Sequence, residues 1–228
     1  MEMRAKARSV GLILGVFLLT ATPSVAATII NGDFSDDLNG WTPGEDGDAS
    51  YEVVDSYEGN SKVLHLLATT TYTWNGDSWE VPGDYGVAFA TQTNFDPYTG
   101  LGALQFKASA TCTGATWDQF DEDGGALVRV THLSTEEKKV TDSMWLQYIL
   151  PLPGLDTAGF ATVAILAYPI LSLDEMSEQR DYGDERVVTI EAYFDDFEFI
   201  VPEPGTVVLL CCGGGIMLIL RRPRRKVA

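Results

Sequence analysis

Asp195 is the residue on which a binding chemistry first turns. It stands in Tyr193-Phe194-Asp195-Asp196-Phe197, inside a run, 187–200, rich in β-branched and aromatic residues. Side chains alternate along a strand, so Asp195, Phe197, Phe199 and Val201 are expected on one face. The two phenylalanines require burial and draw the Asp195 carboxylate inward with them. A buried carboxylate without partners costs several kcal/mol or takes up a proton. No Lys or Arg lies within the terminal strand pair to answer it, whereas Ca2+ is a hard ion that binds carboxylate and carbonyl oxygens. The same residues leave open a β-bulge that turns Asp195 to water.

Covalent and zinc-assisted hydrolysis lack their parts. The chain has two histidines, His65 and His132, each alone in a strand pattern, and contains no HExxH, CxxC or GxSxG. Cys112 is separated from Cys211 and Cys212 near the end, so no disulfide is expected within the body. It reads as a buried apolar residue, with pairing between molecules as the alternative. Asp and Glu number 33, and that abundance removes the value of any carboxylate pair as a sign of glycoside hydrolysis. Glu45-Asp46-Gly47-Asp48 and Asp121-Glu122-Asp123-Gly124 lack EF-hand spacing and read as solvated turns.

Aromatic residues offer a second chemistry. Tyr72, Trp74 and Trp79 fall in TYTWNGDSWEVPGDY, a polar, turn-rich connection. Rings there either plug the edge of a core or present flat faces on which sugar rings stack. Trp117, in ATWDQFDED, is a further candidate of the same kind, while Trp41 reads as core and Trp145, within MWLQYIL, as strand packing.

The elements that position these residues are strands. Runs at 51–54, 62–68, 85–93, 103–110, 126–133, 144–150, 160–168 and 187–200 are separated mostly by Gly, Asn, Asp and Pro clusters. In 126–133, Ala126, Val128, Val130 and His132 form the more apolar side, opposite Leu127, Arg129, Thr131 and Leu133, as in a half-buried strand. Eight or nine strands without helical periodicity predict an all-β, antiparallel β-sandwich, a jelly roll, over residues 28–201. The chain is 45% hydrophobic and 21% charged, as suits one globular domain. Residues 28–201 carry seven Lys or Arg against thirty-one Asp or Glu, a balance of −24. Such a surface repels phosphate backbones and argues against a nucleic-acid partner.

Two tails flank this body. Residues 1–27 have a basic start, an apolar run at 10–19 and small residues before Ala26 and Ala27, the pattern of a secretory signal peptide. Ten apolar residues are too short for a membrane anchor. Residues 205–220 are free of charge; as a helix they reach ~24 Å against a hydrocarbon core of ~30 Å, a short single span. Basic residues follow it and are expected to stay cytoplasmic, which leaves the body outside. Pro202 and Pro204 keep the preceding stretch extended, where a processing enzyme can grip it. An ordinary single-pass anchor stays open on these grounds.

Pro202-Glu203-Pro204, the apolar stretch with Gly213-Gly214-Gly215, and the terminal arginines resemble the PEP-CTERM sorting signal. That resemblance implies an exosortase-type processing enzyme as partner, and an inner-membrane-anchored precursor that passes to the cell surface or extracellular matrix. The body resembles galactose-binding-like jelly rolls, the superfamily that includes carbohydrate-binding modules. Asn31-Gly32-Asp33-Phe34, Gly40-Trp41-Thr42 and Tyr193-Phe194-Asp195-Asp196-Phe197 carry the likeness. It implies a structural calcium joining the first strand, a following loop and the last strand. Asp195 matches the carboxylate ligand, Asp33 a first-strand ligand, and Gly59 or Asn60 the loop contribution, while Ser35 stands where many relatives carry Glu. The function implied is non-catalytic binding of extracellular polysaccharide. A purely structural acidic matrix protein and, last, a glycan hydrolase are the alternatives.

Overall fold

The computed structural model describes residues 29–81, 83–95, 102–131, 134–152, 161–172 and 181–200. The expected signal peptide at 1–27, the motif Pro202, Glu203 and Pro204, the expected span at 205–220, and His132 lie outside the described residues. No helix among the described residues is long and apolar enough to cross a membrane.

The described strands are β1 (Thr42–Asp46), β2 (Asp48–Val54), β3 (Val63–Trp74), β4 (Trp79–Glu80), β5 (Val87–Phe95), β6 (Gly102–Thr113), β7 (Gly125–Thr131), β8 (Thr135–Val140), β9 (Leu146–Leu152), β10 (Ala161–Tyr168) and β11 (Glu185–Ile200). Every pairing is antiparallel. One sheet runs β1-β5-β10-β7-β8; the other runs β2-β3-β11-β6-β9, with β4 paired to β3. This is the two-sheet antiparallel sandwich the sequence predicts. The side chains between the sheets come from strict alternation, best seen in β3, where Leu64, Leu66, Ala68, Thr70, Tyr72 and Trp74 are buried and the residues between them half-buried. In β7, Ala126, Val128 and Val130 join the core, on the side the sequence marks as apolar.

Three strands escape the sequence pattern. Thr42–Asp46 reads TPGED and Thr135–Val140 reads TEEKKV, neither rich in strand formers; each lies at an edge, held by β5 and β7 respectively. Trp79–Glu80 is paired because β3 runs six residues beyond its predicted end, through Thr69, Thr70 and Thr71, and turns at Asn75. Asn75 Oδ1 accepts from the N–H groups of Asp77 and Ser78 and so closes that turn.

An aromatic stack holds the end of the core near the N-terminal turn. Phe106 lies parallel to Phe197 at 5.2 Å and to Tyr148 at 5.4 Å. Phe34, fully buried, meets Trp41 at 5.5 Å and Phe197 edge-on at 6.2 Å. The turn carrying Phe34 is strapped to the sandwich at two points. Phe197 N–H donates to Gly32 O at 2.9 Å, and buried Gln92 both donates to Ile30 O (2.8 Å) and accepts from Ile30 N–H (2.9 Å). A Cβ on Gly32 would sit 2.2 Å from Phe197 O, so glycine is required for that approach.

Candidate functional site

Asp33 and Ser35 from the N-terminal turn, the 59–61 turn, and Asp195 and Asp196 of β11 line one cleft of about 280 Å3. The four positions that the jelly-roll resemblance assigns to a cation, Asp33, Gly59, Asn60 and Asp195, therefore converge from three separate stretches of chain. A neighbouring cleft of about 590 Å3 shares Asp33 and Asp196 and adds Asn31, Gln105, Lys107 and Glu198.

The route by which Asp195 reaches the cleft differs from the parity expected of it. Asp195 pairs with Lys107 but Glu198 pairs with Gln105, so β11 carries one extra residue, and Asp196 takes φ 53° to absorb it. The bulge breaks the alternation. Phe194 and Phe197 both enter the core, while Asp195 falls on the outer side with Tyr193, and not on the face of Phe197 and Phe199. It is buried all the same, at 3% exposure, with the cleft around it. Burial pushes its carboxyl up to about 7, against a hydrogen bond from Asp196 N–H (2.8 Å) that favours the ion. Lys107 offsets this only in part, because its Nζ sits on Asp196 at 2.7 Å. Asp33 is held below the ordinary carboxyl range by the Ser35 hydroxyl and N–H, which both donate to Oδ1. Two carboxyls in one cleft are thus tuned apart.

The donors suit a hard cation: carboxylates, the Asn60 amide and the backbone carbonyls of a turn. Among the described residues no three His, Cys, Asp or Glu side chains are grouped to hold an ion by themselves. A cation here would therefore draw on carbonyl and amide oxygens of the 57–61 turn. That turn is a two-residue hairpin. Tyr57 and Asn60 exchange N–H···O bonds of 3.0 and 2.8 Å, and Glu58 and Gly59 between them have φ of 48° and 83°, the positive values a type I′ turn needs.

Tyr57, at the foot of this hairpin, leads to a feature the sequence reading misses. The registers align Glu52, His65, Tyr193 and Ser109 across β2, β3, β11 and β6 on the outer side of their sheet. His65 stacks on Tyr193 at 4.5 Å, Tyr193 on Tyr57 at 3.8 Å, and Tyr57 meets Trp145 edge-on at 5.4 Å. The Tyr57 hydroxyl is 3.0 Å from Ser109 Oγ. His65 Nδ1 lies 3.1 Å from Glu52 Oε1 and its Nε2 3.2 Å from Glu191 Oε1, the second misaligned for a hydrogen bond. Tyr193 donates its hydroxyl proton to the same Glu191 oxygen at 2.7 Å. His65 is thus not alone, and Trp145 is half-buried beside this outer row and is not among the core residues. Only the cross-strand register reveals the row; the period-two placement of His65 and Tyr193 on outward positions was its one sequence signal.

The aromatic candidates lie elsewhere. Trp74 and Trp79, each 8% exposed, pack edge-on at 5.7 Å, and Tyr72 is 2% exposed with its hydroxyl donating to Pro169 O and accepting from Leu171 N–H. Desolvation raises that phenol to about 12. All three belong to the core, so they plug the sandwich and offer no free face for stacking. Trp117 is half-buried against Phe120 at 5.5 Å, in a short 3-10 helix. Cys112 is half-buried and packed against the core, with burial pushing its thiol up.

No protein-family model matches the chain, and no curated protein does. Solved structures do. A carbohydrate-binding module, TmCBM61 in complex with β-1,4-galactotriose, is similar with a TM-score of 0.46 and 10% identity over 78% of this chain and 100% of that one. A structure of carbohydrate-binding modules from the β-sandwich superfamily is similar at 0.42 and 12%, over 78% of this chain and 64% of that one. The enzymatically active domain of tailspike protein 4 from bacteriophage CBA120 is similar at 0.42 and 14%, over 77% of this chain and 21% of that one.

Proposed function

We propose that this chain is an exported, non-catalytic polysaccharide-binding protein whose β-sandwich is clasped by Ca2+. An exosortase-type enzyme removes its C-terminal tail and releases it to the cell surface or extracellular matrix. The observation that supports the reading is the convergence of Asp33, Gly59, Asn60 and Asp195 on one cleft. The resemblance to galactose-binding-like jelly rolls nominates these four positions, and they meet although Asp33 and Asp195 stand at opposite ends of the body. Asp33 and Asp195 would hold the ion with oxygens of the 59–60 turn, and the ion would supply the positive charge that a buried Asp195 carboxylate lacks.

The acidity of the body favours a second reading, a structural matrix protein that works through divalent-ion bridging between chains. Both are tested on protein recovered from outside the cell. Intact mass reports whether residues 1–27 and the tail beyond 201 are gone. Retention of a soluble polysaccharide in calcium buffer, weakened by EDTA, is the expected outcome. Failure to retain any polysaccharide from a broad panel, with calcium-dependent self-association instead, favours the second reading.

A further inference from the structure

Among the described residues, two buried polar side-chain atoms have no hydrogen-bond partner, His65 Nε2 and Trp145 Nε1. Both belong to the outer row. An unpaired buried polar atom is costly, and folding alone gives no reason to keep two of them along one row; both are covered, so a ligand would meet the exposed groups of the row and not these atoms. We propose that this row is a ligand site and that its ligand is a neutral, hydroxyl-rich polysaccharide. The proposal rests on the polysaccharide-binding reading above and adds the site and the substrate class.

Charge selects the class. Among the described residues Lys107, beside this face, is already engaged with Asp196 at 2.7 Å, and the His65 ring lies between the carboxylates of Glu52 and Glu191. A uronate or sulfated chain finds no free counter-charge there, on a body whose balance is −24. Neutral hydroxyls, in contrast, are donors, and the row is rich in acceptors. The Glu52 side chain is 66% exposed and that of Glu191 42%, and the Tyr193 hydroxyl takes up only one Glu191 oxygen. Stacking falls to Trp145. Its one ring neighbour among the described residues, Tyr57, meets it at 67°, so no parallel ring covers either indole face. Tyr57 and Tyr193, parallel at 9°, cover each other and act as its support. Exposed Gln147 and Ile149, on the outward positions of β9, extend the surface beyond the indole.

The full-length protein is run in affinity electrophoresis through gels holding neutral galactan, glucan or mannan, and in parallel alginate or polygalacturonate. Retardation by at least one neutral polymer and by neither uronate is expected. Trp145→Ala then weakens binding about tenfold or more, and Trp145→Phe, which keeps a ring, recovers much of it. Should Trp145→Ala fail to fold, Gln147→Ala and Glu52→Gln, both at exposed side chains, carry the test with a smaller loss each. Unchanged binding in all of these variants overturns the site while the polysaccharide reading survives. Preference for a uronate overturns the substrate class. Binding of no polymer at all removes the reading of the whole protein, and this site with it.

Discussion

The cleft and the outer row meet two residues apart on β11, at Asp195 and Tyr193, yet they are built in opposite ways. At the cleft the sheet is interrupted: a bulge at Asp196, a hairpin and the N-terminal turn surround one poorly paired carboxyl. In the row the ladder is regular, and Glu52, His65, Tyr193 and Ser109 are neighbours because the strands are in register. An irregular backbone brings oxygens together from distant sequence; a regular one lines up side chains across strands. Tyr57 and Asn60, facing each other in the hairpin, put one ring into the row and one amide into the cleft.

The comparison can be broken most forcefully at Phe34, which carries the N-terminal turn. Phe34→Ala should cost about 3–5 kcal/mol and lower Tm by roughly 10 °C, as thermal unfolding will report. A loss as small as that of a surface change would mean the turn is not anchored by this ring.

Next comes Asp195→Asn. The Asp195 carboxyl is raised from its ordinary 3.8 to about 7, so between those values the folded state holds a proton that the unfolded state has released. Stability from this group is present below about 4 and is lost as pH rises through about 7. In EDTA the wild-type Tm should fall over that window more steeply than that of Asp195→Asn, and the variant should be the more stable at pH 8. Added Ca2+ should raise the wild-type Tm more at pH 8 than at pH 5 and leave the variant nearly unmoved. Parallel pH curves for the two proteins would remove Asp195 from the account.

Smaller effects address the row. Tyr57→Phe takes the partner from Ser109 Oγ, which lies 1% exposed, and should cost about 1 kcal/mol in urea unfolding. Glu52→Gln, at an exposed side chain, should change stability by less than about 1 kcal/mol while weakening polysaccharide retention. A stability loss as large as that from Phe34→Ala would make the row a structural feature only.

Much of this was legible in the chain and some was not, for physical reasons. β-branched and aromatic runs announce the strands that pack on both partners, such as 160–168 against β10 as observed at Ala161–Tyr168. Edge strands such as TPGED and TEEKKV form by pairing, and their own residues carry little strand preference. The sequence marks Asp195 as a carboxyl out of place, and it is buried; the face it occupies follows from a bulge, which a two-residue period cannot foresee. The outer row depends on which residue of β3 stands beside which residue of β11, a property of the register between stretches over a hundred residues apart. Tyr72, Trp74 and Trp79 look like loop residues because Asn75, Gly76 and Asp77 interrupt them, while the threonines before them carry the strand onward.

The 57–60 hairpin has no slack. Inserting or deleting one residue between Tyr57 and Asn60 would replace the type I′ turn by another and shift both residues that flank it. The stack of Tyr57 on Tyr193 and the place of Asn60 in the cleft would be disturbed together. A substitution keeps the loop length on which both features depend, whereas a change of length acts on the two together.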